Sequence, residues 1–222
     1  MTTLATLPLS LDEAQADKLD AAPVDFEELA ALPPKERTIK FIGTFYISTE
    51  GPDGRYYVGT KGSGGSWTLV WLSDATQQPA KTYLFSWKVY GVALLPTLGP
   101  YPTFLLAMRP GVADGASGVS AKGWIKAIGE PSKRFSRKLG FAGATVAQQN
   151  QTVNAFATRF AFDWIRTSIT GEAGKHVRSG LLVQYGSGWP LGLDPSSGAR
   201  VTANPDVAPV LTLSPQKLST PG

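Results

Sequence analysis

The residues best suited to chemistry lie between Lys122 and Lys138. Lys122, Lys126, Lys133, Arg134, Arg137 and Lys138 are interleaved with Trp124 and Phe135, and Glu130 is the one acid among them. Single-stranded nucleic acid is held by this combination, cations following the phosphates while aromatic faces stack on bases. These eight residues are therefore a candidate nucleic-acid surface. Lys88, between Trp87 and Tyr90, and Lys61, near Trp67, add to it. The competing reading is a solvated charge run with Trp124 in the core, and no RNP, KH or zinc-finger pattern accompanies the stretch.

Nucleophilic and metal chemistry find little footing. The 222 residues include one histidine and no cysteine. That excludes a thiol nucleophile, a disulfide scaffold and a Cys-ligated zinc or iron–sulfur site. His176 reads as a loop residue between Lys175 and Arg178, whose charges would depress its pKa and weaken it as a base. No G-x-S-x-G elbow is present. Paired carboxylates could serve glycoside hydrolysis. Yet Glu50 and Asp53 flank a turn, Asp114 and Asp194 sit in Gly/Pro loops, Asp163 and Glu172 bracket a strand, and no spacing ties two of them together. Residues 59–66 (Gly-Thr-Lys-Gly-Ser-Gly-Gly-Ser) match neither the phosphate-loop nor the dinucleotide pattern and read as a flexible hairpin loop. No catalytic residue, cofactor or metal is assigned, and the expectation is a protein that is not an enzyme.

Charge separates the chain into an acidic leader and a basic body. Residues 1–37 hold eight acids and three bases, a net −5, against +9 for the remainder. Such asymmetry marks a tail that can touch its own body or a partner. Within the leader, Ser10-Leu11-Asp12-Glu13 has capping-box spacing, and Asp25 is a good N-cap for a two-turn helix closed by Pro33-Pro34. Phe26, Leu29 and Leu32 share a face of that helix and suit docking, either to a partner or to the surface of their own domain. The first basic residue is Lys18, preceded by Asp12, Glu13 and Asp17, so no basic n-region and no signal peptide is read. The uncharged stretch between Lys88 and Arg109 is broken by Gly91, Pro96, Gly99, Pro100 and Pro102. It reads as two strands and a loop, not a membrane span. A soluble intracellular or virion location is the default expectation.

From Thr38 the pattern turns to period two, the mark of half-buried strands. Ile39, Phe41, Gly43, Phe45 and Ile47 alternate with Lys40, Ile42, Thr44, Tyr46 and Ser48, and Gly51-Pro52-Asp53-Gly54 supplies a turn into a returning strand. Further strands are expected at 67–73, 82–92, 103–109, 124–128 and 180–185, in a chain with 24 Gly and 17 Pro to make its turns. The span 141–169 is ambiguous; residues 144–150 favour helix, while 159–169 favour a strand that forms a second hairpin with the one near Leu181. The Pro-rich residues 191–222 read as an extended arm in which Val210, Leu211 and Leu213 can add a strand to a sheet edge.

The expected fold is mainly β, a sandwich or barrel-like antiparallel sheet at 38–190 with a few short helices, between arms 1–37 and 191–222. Two functional readings follow. One is a non-enzymatic assembly protein, such as a component of a viral (phage) particle. Its arms, through Phe26, Leu29, Leu32, Val210, Leu211 and Leu213, contact copies of itself or other subunits. The other is a single-stranded nucleic-acid-binding protein whose acidic tail competes for its own basic groove.

Overall fold

The computed structural model describes residues 11, 13–63, 66–74, 77–93, 103–116, 118–119, 121, 123–128, 136–142, 160–169, 176–184, 191–192, 200–202 and 210–218. Two short helices, α1 (Glu13–Leu19) and α2 (Phe26–Ala31), precede the strands. These are β1 (Lys40–Gly51), β2 (Gly54–Ser63), β3 (Ser66–Ser73), β4 (Thr82–Ala93), β5 (Thr103–Ala113) and β6 (Trp124–Ile128). Then come β7 (Ser136–Ala142), β8 (Phe160–Ile169), β9 (His176–Gln184), β10 (Leu191–Gly192), β11 (Arg200–Thr202) and β12 (Leu211–Ser214). The fold is mainly antiparallel β, as the alternation implies.

Strand order runs β1-β12-β9-β8-β5-β4-β2-β3-β7-β11-β10, with β6 on β7. Because β1 also pairs with β4, the first six strands close into a ring. A closed ring leaves no open edge among its members. Strand β1 spans the junction: Lys40–Phe45 pair with β4, and Ser48–Gly51 turn at the Gly51/Gly54 hairpin to pair with β2. A register shift between Phe41 and Gly43 lets one long strand do this. Gly43 has φ +150° and Gly54 φ +117°, values that L side chains rarely adopt. The shift also breaks the simple alternation, so Ile42, Phe45 and Ile47 enter the main core while Phe41 joins a second cluster outside it.

The main core is shared by the ring (Phe85, Trp87, Val89, Phe104, Leu106, Met108) and by β2, β3, β6 and β10 (Val58, Leu69, Trp71, Ile125, Leu191). The buried Trp71 and Trp87 indoles donate to Gly192 O and Val58 O, each at 3.0 Å. These bonds remove the cost of burying an N–H.

Several expectations are corrected. Strand β5 does not stop at Arg109 but continues through Pro110 to Ala113, because a bulge between Phe85 and Trp87 accommodates the proline. The Ser86 hydroxyl meets the Val112 amide at 3.1 Å beside it. The expected loop at 59–66 is strand up to Ser63, and β3 resumes at Ser66. Gly59 is a packing residue there, since an added Cβ would lie 2.4 Å from Leu72 Cδ1. His176 opens β9 opposite Ile169 rather than sitting in a loop. The β8/β9 hairpin forms as the aromatic and β-branched pattern implies, whereas β7 and β11 carried no strand signal strong enough to expect them. The helix expected at 144–150 lies outside the described residues.

The arms fold back on their own chain. Asp25 caps α2 in a full capping box with Glu28, and Phe26 and Leu29 are 2% and 0% exposed within the main core. Phe26 packs edge-on to Phe104 at 4.8 Å and tilted to Phe45 at 5.9 Å. At the other end, β12 fills the gap between β1 and β9, burying Leu211 and Leu213 completely. Leu191 of β10 is buried as well. A strand was expected to seek a sheet edge here; the edge it finds is its own, which tethering makes the nearest available.

Candidate nucleic-acid interface

Of the eight residues of the basic stretch, Lys122, Lys133, Arg134 and Phe135 lie outside the described residues. Trp124, Lys126, Arg137 and Lys138 fall on the β6/β7 hairpin, where Lys126 stands opposite Gly140 and Ile128 opposite Lys138. Strand alternation then divides them. Lys138 shares a pleat face with Lys126 and Trp124, whereas Arg137 falls on the alternate face with Ile125 and, across β11, Leu191.

Register extends the Lys126 face sideways. One row runs Lys126, Gly140, Thr68, Lys61, Thr82 through β6, β7, β3, β2 and β4. The next runs Ile128, Lys138, Arg200, Gly192 through β6, β7, β11 and β10. Four cations and no acid occupy these rows. Lys61 and Thr68 are exposed. Three inter-strand spacings separate Lys61 from Lys126, about 14 Å. Lys138 and Arg200 are direct cross-strand partners. Sequence reading could not find Arg200, which lies 62 positions from Lys138 and joins it only through the β7/β11 pairing.

Trp124 is corrected from a stacking platform to a core residue, 1% exposed in the outer cluster with Leu11, Ala16, Phe41, Tyr90 and Ala107. Its ring meets Tyr90 edge-on at 5.4 Å, and the Arg109 guanidinium lies 5.8 Å from it and 5.3 Å from the Tyr90 ring. Helix α1 covers this face of β4 and β5. Arg109 Nη2 contacts Asp17 Oδ1 at 2.7 Å and Asp20 Oδ2 at 3.0 Å, and its Nε donates to Tyr90 Oη at 2.8 Å. Lys88 and the Tyr90 hydroxyl also donate to Asp20. Lys88 is thereby corrected from a free contributor to an ion-pair partner of the leader.

The electrostatics follow from that packing. Burial opposes ionisation of Asp20, but the hydrogen bonds from Lys88 and Tyr90 and the charge of Arg109 outweigh it and hold the carboxyl below its ordinary range. Burial, reinforced by Asp20, pushes the Tyr90 phenol well above its usual value. The acidic leader therefore meets cations of its own body.

A second polar concavity, about 340 Å³, lies among Tyr57, Leu72, Asp74, Thr82, Asp114 and Lys217. Lys217 Nζ sits 2.8 Å from Asp74 and 5.5 Å from the centre of the Tyr57 ring. The Tyr57 hydroxyl donates to Leu218 O at 2.8 Å, and burial pushes its pKa up to about 12. These contacts strap the C-terminal segment across β2 and β3. Of the other carboxylates, Glu50 is paired with Arg55 beside its turn, and Asp163 stands on β8 opposite Thr103 and Leu181. Asp194 and Glu172 lie outside the described residues. Among the described residues no group of three His, Cys, Asp or Glu gathers to hold a metal, and no helix is long and apolar enough to cross a membrane.

The six arm residues divide by burial: Phe26, Leu29, Leu211 and Leu213 are core, Leu32 is half-buried and Val210 is 43% exposed. The chain matches no protein-family model, no curated protein and no solved structure.

Proposed function

We propose that the protein is a non-enzymatic binding protein for single-stranded nucleic acid, which lies across the face carrying Lys61, Lys126, Lys138 and Arg200. The observation that supports this reading is the strand register, which brings Lys61, Lys126, Lys138 and Arg200, from four separate strands, into two adjacent cross-strand rows that contain no acid. Lysine and arginine bind a polyanion by releasing its condensed counterions, so affinity follows the number of phosphates met. Four contacts to a single strand give a log–log salt slope of about −2.8, or an affinity loss of about 50-fold between 50 and 200 mM salt. Fluorescence anisotropy of a labelled oligonucleotide at those two concentrations tests it. In K126E/K138E the loss across the same salt range shrinks to about sevenfold and binding at 50 mM weakens more than tenfold. Binding that ignores salt, or survives the charge reversals, would sink the proposal.

A second proposal is assembly with copies of itself or with other subunits of a particle such as that of a phage. It is favoured by Val112 and Val210, the large apolar side chains left exposed among the described residues, at 73% and 43%. Leu32 is half-buried against the main core. Light scattering after size exclusion is expected to give a multimer that V112K/V210K dissociates. A monomer at every concentration would remove this reading.

A further inference from the structure

We infer that the β4–β5 face bearing Lys88, Tyr90 and Arg109, with Trp124 beside it, is a phosphate-binding extension of the proposed interface, which Asp17 and Asp20 of the leader occupy in the free protein. The inference rests on the reading of the Lys126 face as a nucleic-acid surface.

The leader carboxylates sit where phosphate oxygens would. Arg109 is met by two carboxylates at 2.7 and 3.0 Å, and Asp20 collects Lys88 and the Tyr90 hydroxyl besides. Guanidinium, ammonium and phenol converging on one anion is the donor set that recognises a phosphate. The Arg109 guanidinium also lies over the Tyr90 and Trp124 rings, which hold it in place on this face. This face adjoins the Lys126 row, since Trp124 and Lys126 are two residues apart on the same side of β6.

The cover is slight. Helix α1 has seven residues, too few to be stable alone. Asp17, Lys18 and two of its other residues face solvent, and Ala16 is its one described residue that is fully buried. Leu11 just before it is also buried, and Leu19 packs at the margin of the same cluster. By contrast α2 is anchored in the main core, and Val24 N bonds Phe41 O at 2.8 Å. The leader can therefore release Leu11 and residues 13–22 while Val24 onward stays in place. Local opening of so lightly packed an element lies at the low end of a protein's range. A strand of nucleic acid that displaces the two carboxylates gains Arg109 and Lys88 as phosphate partners.

The test compares wild type with D17N/D20N, which keeps side-chain size and removes the two charges. Anisotropy with the same oligonucleotide is expected to show about tenfold tighter binding at 50 mM salt. The affinity loss from 50 to 200 mM should grow to about 300-fold, as two further phosphate contacts imply. Unchanged or weaker binding by a folded D17N/D20N, while wild type binds and K126E/K138E binds more weakly as expected, overturns this inference and leaves the Lys126 face standing. Binding by D17N/D20N alone supports the covered face and overturns the open one. Absence of binding by both overturns both. Should the variant fail to fold, hydrogen exchange of the wild type decides: oligonucleotide should speed exchange of amides 13–20, because ligand and leader compete. Slowed or unchanged exchange there overturns the inference.

Discussion

Phe26→Ala is expected to lower the free energy of unfolding by about 3–5 kcal/mol, the cost of emptying a closely packed aromatic site. The residue belongs to a two-turn helix near the N-terminus, where truncation would ordinarily cost little. Here its ring is 2% exposed and lies against Phe104 of β5 and Phe45 of β1, two strands of the closed ring. The cavity left would be lined by side chains fixed by strand pairing, which collapse poorly into a void. Leu29, one turn on, is fully buried in the same core and does not reach far enough in sequence to replace the ring. Urea denaturation should show a lower midpoint with an unchanged slope, since α2 packs in the native state only. A shift under 1 kcal/mol would mean that α2 is a detachable arm after all. The same logic bears on truncation: removing residues 1–37 takes out part of the core, so leader charge is better probed by substitution.

Asp20→Ala is expected to cost about 1–3 kcal/mol near neutral pH, because it strips Lys88 and Tyr90 of their acceptor and leaves Arg109 with Asp17 as its carboxylate partner. The cost is that of a buried phenol and a half-buried ammonium losing the acceptor they share. The pH dependence has a definite sign. The folded Asp20 pKa lies below the unfolded one, so the unfolded chain binds more protons as acid is added. Its contribution is therefore complete above the unfolded value of about 3.9 and is lost as pH falls through the folded value. Thermal melts from pH 6 down to pH 2 should show wild type losing stability more steeply below pH 4 than Asp20→Ala does. Parallel curves would show that Asp20 is not ionised in the network. At the alkaline end the sign reverses: Tyr57, raised to about 12, supports the fold below its unfolded pKa of about 10 and ceases to as pH climbs through 12.

Much of the fold is legible along the chain because strands announce themselves locally. Alternation from Ile39 to Ile47, the Pro-Asp-Gly turn before Arg55, and the aromatic run from Phe160 to Trp164 each place an element within a residue or two of where it is found. Where local signals misled, a non-local contact prevailed. Pro110 ends a strand by propensity, yet the bulge opposite it in β4 absorbs the missing donor. The glycines at 59 and 62 look like a loop, yet Gly59 is where Leu72 and the Tyr83 carbonyl press closest on the backbone. The arms look unable to build a core, and alone they could not; joined to the ring, Phe26, Leu211 and Leu213 complete one.

The candidate site divides in the same way. Residue type alone established that the sequence offers no thiol or cysteine–metal chemistry and that its first 37 residues are acidic and the remainder basic. Which cations act together was decided by the tertiary structure alone. Neighbours in a strand point to opposite faces, so Arg137 and Lys138, adjacent in sequence, are parted. Residues paired across strands share a face whatever their separation, so Lys61, Lys126 and Arg200 are joined. Burial likewise distinguishes Trp124 and Arg109 from residues of the same type in open solvent. Composition records charge, but only pairing register and packing determine which charges face the same water.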